Sequence, residues 1–363
     1  MRDMIANPHR GRGLATIPGL PDEPVSTDIE AARALFSQCP ASAETSLSAM
    51  PDLAAAVGVA RIDLKDERNR MGLGSFKALG AAYAIAKMAM EQAGGDAVAA
   101  RDTLHDVTFV CASAGNHGLS VAAGARMFGA RAVIYLAESV PDGFAARLEA
   151  KGATVMRAGA DYDASMAAAV AAAEANGWFL LSDSSWEGYS APARDVMEGY
   201  LIMAGEVADE IDAPPTHIFL QAGVGGLAAA CTAAARTIWG DMPIITVVEP
   251  DRAPALMESV RAGRPVHAGG PESNMGRLDC KEPSHLALAC LAREADYFET
   301  ITDEEADAAV VTLAGHGIAT TPSGVAGIAG LLHLASAARD RLGIDARSRV
   351  LAYVSEGPVD GGA

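Results

Sequence analysis

The chain has 363 residues, half of them hydrophobic and about a fifth charged, a composition that suits a globular protein with room for two domains. Its net charge of −18 argues against nucleic acid or an anionic membrane as a partner. No run of about 18 apolar residues predicts a membrane span, and residues 1–13 lack the apolar centre of a signal peptide. Five cysteines, an odd number with no C-x-x-C pair, predict reduced thiols in a cytoplasmic protein and no metal site.

Residues 1–60 read as irregular, with short helices near 28–37 and 51–57, and 61–64 reads as a short strand. The segment Gly72-Leu73-Gly74-Ser75-Phe76-Lys77-Ala78-Leu79-Gly80 then predicts a loosened loop, an N-cap at Ser75 and a helix to about Glu91. Leu79, Tyr83 and Ile85 or Ala86 give that helix one apolar side, and Lys77 falls in its first turn. Burial lowers the pKa of an amine, and a neutral amine is what a Schiff base with an aldehyde cofactor needs. The alternative is a lysine that snorkels to water. Of the five lysines, Lys65 is expected in a charged loop, Lys87 inside a helix, Lys151 before Gly152 and Lys281 in a polar loop.

From there strands and helices alternate. Strands are predicted at 107–112, 130–136, 154–157 and 178–182, with helices between them, an arrangement that implies right-handed crossovers and a parallel sheet. The pattern continues with a helix at 192–208, strands at 217–220 and 244–248, helices near 303–315 and 324–341, and a last strand at 350–354. The expected architecture is α/β, built on parallel sheets, with a small domain (86–190) inserted in a larger one (1–85 and 191–363).

Three features join Lys77. Ser113-Ala114-Gly115-Asn116-His117-Gly118 lies between a strand end and a helix start, where open α/β sheets bind ligands. Gly223, Val224, Gly225, Gly226 and Leu227 form a second such turn, able to bring bare amides to a phosphate. Ser355 ends the last strand with a neutral hydroxyl. The glycine turn also fits a dinucleotide fingerprint, Gly223-x-Gly225-x-x-Ala228 with Glu249 further on, so a nicotinamide-dependent oxidoreductase is the runner-up. That reading gives no task to Lys77, the asparagine loop or Ser355. A non-catalytic ligand-binding module ranks third. His117 reads as a helix-start residue, Trp186 and Tyr189 as packing, Cys111 as a small buried apolar residue and Glu249 as a strand end.

Together these residues resemble the fold-type II pyridoxal-phosphate enzymes, the tryptophan-synthase-β and threonine-dehydratase group. The Ser75-Phe76-Lys77 core and the Ser113–Gly118 loop are similar to the dehydratases. Closer still is diaminopropionate ammonia-lyase, through Lys65-Asp66-Glu67-Arg68-Asn69-Arg70, Asp183-Ser184-Ser185-Trp186-Glu187-Gly188-Tyr189, Leu220-Gln221-Ala222-Gly223-Val224-Gly225 and Val248-Glu249-Pro250. The resemblance implies pyridoxal 5'-phosphate bound to Lys77, with Phe76 behind its ring, Asn116 at the phenolic oxygen, the 223–227 amides on the phosphate and Ser355 at the ring nitrogen. It implies that Ser113, Ala114, Gly115 and Asn116 bind the substrate, that Asp183 stands over it, and that Pro322-Ser323-Gly324-Val325-Ala326 lines the site. The expected reaction is α,β-elimination on a β-substituted L-amino acid such as 2,3-diaminopropionate, or a serine, threonine or 3-hydroxyaspartate dehydration, and the expected assembly is a homodimer. One position departs from the lyases. They carry an aspartate, the base for the D-enantiomer, where this chain has Ala114.

Overall fold

In the computed structural model, which describes residues 3–15, 17 and 25–358, the strands gather into two sheets. They are β1 (Met4–Ala6), β2 (Leu47–Ala49), β3 (Arg61–Asp66), β4 (Thr108–Ala112), β5 (Arg131–Leu136), β6 (Thr154–Arg157), β7 (Phe179–Leu180), β8 (His217–Gln221), β9 (Ile244–Pro250), β10 (Tyr297–Ile301) and β11 (Arg349–Val354). The larger sheet has the order β1-β10-β9-β8-β11-β3-β2 and the smaller β6-β5-β4-β7. Every pairing in the smaller sheet is parallel. In the larger sheet the five central strands are parallel, and only the edge strands β1 and β2 run antiparallel.

The central strands are buried from end to end, His217–Gln221 for example, because helices cover both faces. Against the smaller sheet the alanine-rich helix Tyr162–Asn176 packs Ala169 and Ala173 onto Val110, Ala112 and Val133. Among the described residues no helix is long and apolar enough to cross a membrane.

Several elements depart from expectation. The three-residue strands β1 and β2 are too short to carry a period-2 signal, and β10 and the helices Ala255–Ala262 and His285–Glu294 were not predicted. The helix expected at 324–341 is two, Pro322–Leu332 and Ser336–Leu342, broken at His333.

What anchors the Lys77 region is a buried ion network just upstream. Arg70, fully buried, binds Glu67 and Glu206. Lys65 is not in a loop but within β3, also fully buried, with its ammonium 2.7 Å from Glu206 and 2.5 Å from the Thr45 carbonyl. Glu206 belongs to the long helix Ala191–Glu210. Removing one partner of such a network strands a buried charge, which typically costs about 3–5 kcal/mol. The network therefore ties the end of β3 to the helix against which the next segment must lie.

Candidate active site

Lys77 sits in a 3₁₀ turn, Phe76–Leu79, rather than in the first turn of an α-helix; the α-helix begins only at Gly80 and runs to Gln92. Ser75 is extended, and its hydroxyl caps nothing; it is buried without a hydrogen-bond partner among the described residues. The turn is held from the other side by the end of β11, where the Phe76 N–H donates to the Ser355 carbonyl (3.0 Å) and the Gly357 N–H to the Gly74 carbonyl (2.9 Å). Close approach to the helix Ala191–Glu210 depends on Gly80, where an added Cβ would lie 2.7 Å from the Tyr200 ring and hydroxyl. The Tyr200 ring in turn meets Phe76 at a centroid distance of 4.9 Å.

The Lys77 ammonium lies 5.3 Å from the Phe76 ring centre and donates a hydrogen bond to Asp183. Burial pushes the amine down, but the Asp183 carboxylate outweighs it and holds Lys77 above the usual lysine range. Burial likewise pushes the Asp183 carboxyl up, while Lys77 and then His117 bring it below the usual carboxylate range. The expectation of a depressed lysine pKa is therefore overturned for the pair as it stands. Its partner comes from the other sheet, 106 residues away. Three of the four remaining lysines have structural tasks: Lys65 is in the buried network, Lys87 binds Asp195 and Glu198, and Lys281 binds Asp279 and two carbonyls.

Asp183 follows the short strand β7 and is fixed by the turn after it. Trp186 and Tyr189 stack at 4.3 Å and exchange two backbone hydrogen bonds, and the Tyr189 hydroxyl accepts from the Ser182 N–H (2.8 Å) and donates to the Leu180 carbonyl (3.0 Å). These rings pack, as expected. His117, in the first turn of the helix Asn116–Met127, bonds the Leu181 carbonyl (2.8 Å) and so links the asparagine loop to the Asp183 strand. Cys111 is a buried thiol within β4.

The asparagine loop leaves the C-terminal end of β4, the same end from which the chain reaches Asp183 beyond β7. Its Asn116 amide donates to Glu356 Oε2 (2.5 Å), and the other oxygen of Glu356 accepts from the Thr321 hydroxyl (2.5 Å). Glu356 is a buried carboxylate that the sequence reading missed; its place directly after Ser355 was the available signal. Ser113 accepts from the Gly115 N–H (3.2 Å), and Ala114 offers only a methyl, packed toward the core.

The glycine turn leaves the C-terminal end of β8 and opens the helix Gly226–Trp239. Gly225 has φ +101°, a conformation only glycine adopts freely, and a Cβ there would meet Ala287 at 2.9 Å. The Val224 amide faces the Cys280 thiol, which burial pushes up to about 11. No other amide from Gly223 to Leu227 donates to a loop carbonyl or side chain among the described residues. Glu249 turns away from this site: its two oxygens accept from the Leu256 (2.7 Å) and Met257 (2.8 Å) amides at the start of the helix Ala255–Ala262. Fully buried and committed to that helix start, it is not presented to a ribose, and the dinucleotide fingerprint loses its acidic member.

One element went unread in the sequence, the long connection 263–284. It lies over the glycine turn, with the Ser284 N–H on the Val224 carbonyl (3.0 Å), and it carries Arg277, whose N–H donates to Ser323 (3.1 Å). A structureless connection of that length is itself a signal of function.

Two sheets with parallel central strands, whose C-terminal ends bring together a half-buried lysine, an amide-lined glycine turn and an asparagine loop, define an enzyme that holds a phosphorylated aldehyde cofactor on lysine. The chain matches the family of pyridoxal-phosphate dependent enzymes over residues 40–356 and belongs to it. It is 31% identical over 342 residues to diaminopropionate ammonia-lyase of Escherichia coli K12, covering 87% of this chain and 85% of that one. It is 31% identical over 206 residues to the human L-serine dehydratase/L-threonine deaminase, covering 56% and 60%. The crystal structure of the Escherichia coli diaminopropionate ammonia-lyase with an aminoacrylate-PLP azomethine reaction intermediate superposes with a TM-score of 0.88 at 28% identity, covering 99% of this chain and 94% of that one. The residues present fit the cofactor. Amides without protein acceptors suit a phosphate, and the Lys77 amine lies within a cluster of aromatic and carboxylate side chains.

Proposed function

We propose that this chain is a lyase that performs α,β-elimination on a β-substituted L-amino acid such as 2,3-diaminopropionate, releasing ammonia and a 2-oxo acid. The observation that carries the reading is the Lys77–Asp183 pair, set between the asparagine loop and the glycine turn. When bound, pyridoxal phosphate supplies an electron-withdrawing ring beside the α-carbon. Lys77 would hold its aldehyde carbon, and its free amine would be the general base for the α-proton. The amides of Gly223, Val224, Gly225, Gly226 and Leu227 would hold the phosphate. Phe76 backs the ring, and Asn116, one of whose N–H groups is on Glu356, has the other for the phenolic oxygen.

Ser355 would offer the ring nitrogen a neutral hydroxyl, which would favour prompt loss of a β-leaving group over long-lived carbanion chemistry. Ser113, Ala114, Gly115 and Asn116 bind the substrate carboxylate at a helix start. Asp183 exchanges a proton with Lys77 and protonates the leaving amine or hydroxide. The neutral Ala114 favours a second reading, dehydration of serine, threonine or 3-hydroxyaspartate, because it withholds a negative charge that would favour a β-ammonium group.

The division into domains at 86 and 190 is supported by the smaller sheet lying wholly between Thr108 and Leu180. A cytoplasmic homodimer fits the fold type, and the five cysteines are all unpaired. The test is release of 2-oxo acid and ammonia from a panel of β-substituted amino acids by the cofactor-loaded protein. Two ammonia per 2-oxo acid are expected from 2,3-diaminopropionate and one from serine. A yellow, cofactor-loaded protein that turns over none of them contradicts the proposal.

A further inference from the structure

One cation at the site has no direct partner among the described residues. Lys77 is paired with Asp183, Glu356 is held by Asn116 and Thr321, and Asp279 is held by Lys281. Arg277 is left over. Its Nη1 is buried and has no acceptor among the described residues, and the side chain makes no ion pair there. A buried guanidinium nitrogen without an acceptor is an expensive arrangement unless an anion completes it.

Its position says which anion. A Cβ built on Gly115 would collide with Arg277 Nη1 and lie 3.4 Å from its Cζ, so the guanidinium occupies the space that glycine leaves open in the asparagine loop. The Arg277 backbone is fixed to Ser323 by its N–H (3.1 Å), and its carbonyl would lie 3.2 Å from a Cβ on Gly223 in the glycine turn. The guanidinium thus lies against the loop assigned to the substrate, while the backbone that carries it lies against the turn assigned to the phosphate.

We infer that Arg277 is a subsite for a second carboxylate on the substrate, and that the enzyme selects β-substituted dicarboxylic amino acids of the 3-hydroxyaspartate class. The inference rests on the elimination reading above and narrows its substrate. The asparagine loop already offers a helix start to the α-carboxylate. A β-ammonium group would place a cation beside an unpaired guanidinium, whereas a β-carboxylate gives that guanidinium a planar, bidentate partner. The neutral Ala114 methyl in the same loop adds no negative charge of its own to that field. For 3-hydroxyaspartate the α C–H bond breaks, with its proton going to Lys77. The β C–O bond breaks next, with hydroxide leaving as water after protonation. The enamine so formed takes up a proton at the β-carbon to become an imine, water adds at the α-carbon and ammonia departs, so the net products are one ammonia and a four-carbon 2-oxo diacid.

The test uses the cofactor-loaded enzyme, with kcat/KM for 3-hydroxyaspartate, serine and 2,3-diaminopropionate on wild type, Arg277→Ala and Arg277→Lys. Thermal stability with succinate or with propionate is measured alongside. Wild type should prefer 3-hydroxyaspartate. In Arg277→Ala the ratio of its kcat/KM to that of serine should fall about 10²-fold, mainly through KM, with partial recovery in Arg277→Lys. Succinate should raise the melting temperature of wild type more than propionate does, and Arg277→Ala should abolish that difference. Equal losses on all three substrates, or a succinate effect that survives the substitution, overturn the subsite and leave the elimination reading intact. Succinate binding that depends on Arg277, with no turnover of any amino acid, keeps the subsite and removes the elimination reading.

Discussion

Replacing Gly80 by alanine tests whether the Lys77 turn is positioned by close packing on the helix Ala191–Glu210. Gly80 has φ −74°, so alanine meets no backbone strain there and the substitution reports packing alone. In an open helix the exchange stabilises by about 0.5–1 kcal/mol. Here the new Cβ would lie 2.7 Å from two atoms of Tyr200 and 2.8 Å from Val196 Cγ1, while ordinary contact begins at 3.4 Å. The shortfall is about 0.7 Å, and Tyr200, 1% exposed and packed on Phe76, has no free direction in which to give. Overpacking of this kind costs about 1–3 kcal/mol, which outweighs the gain from alanine. The displacement passes to Phe76 and Lys77, where errors approaching 1 Å lower rates by about 10- to 10²-fold. The assay is thermal unfolding together with kcat/KM, with Gly143→Ala as control, since nothing lies within 4 Å of a Cβ at that position. The control should be neutral or slightly stabilising. A Gly80→Ala protein as stable and as active as wild type would refute the packing argument.

Three further outcomes are expected. Gly225→Asp places bulk against Ala287 and a negative charge at the start of the helix Gly226–Trp239, so cofactor affinity measured by fluorescence titration should fall by at least 10²-fold; unchanged affinity rejects the phosphate assignment. With Ala114 in the loop only the Lys77 face has a base, so wild type should favour L- over D-substrates by about 10²- to 10⁴-fold, and Ala114→Asp should gain D-activity; equal rates on D and L forms in wild type rule this out. Burial pushes the Glu249 carboxyl up to about 8 against the pull of the Leu256 and Met257 amides. The folded chain therefore keeps a proton that the unfolded chain releases, and this stability is complete below about pH 4.5 and lost as pH rises through 8. Glu249→Gln should flatten the decline in denaturant stability between pH 5.5 and 7.5 by up to about 1.4 kcal/mol per pH unit, and identical slopes in the two proteins exclude it.

Much of the fold was legible because parallel strands covered on both faces are uninterrupted apolar runs, as in Phe109-Val110-Cys111-Ala112 and Ile218-Phe219-Leu220. The loops at their C-terminal ends were legible because glycine and asparagine mark backbone that must approach a ligand. What stayed hidden depends on partners distant in sequence. The 3₁₀ turn at Lys77 is set by Tyr200 and by the end of β11, not by its own residues. The protonated state of Lys77 is set by Asp183 from the other sheet, and the burial of Lys65 by Glu206. Arg277 and Glu356 gave no periodic signal, since one lies in a long loop and the other just beyond the last strand.

The central claim is that Lys77, alone among five lysines, carries the cofactor. Borohydride reduction of the loaded enzyme, followed by peptide mapping, tests it most directly. The account predicts a single pyridoxyl group on the peptide containing Lys77, and no label in Lys77→Ala. A pyridoxyl group on Lys65 or Lys87, or a loaded wild-type protein that borohydride leaves unlabelled, would contradict it.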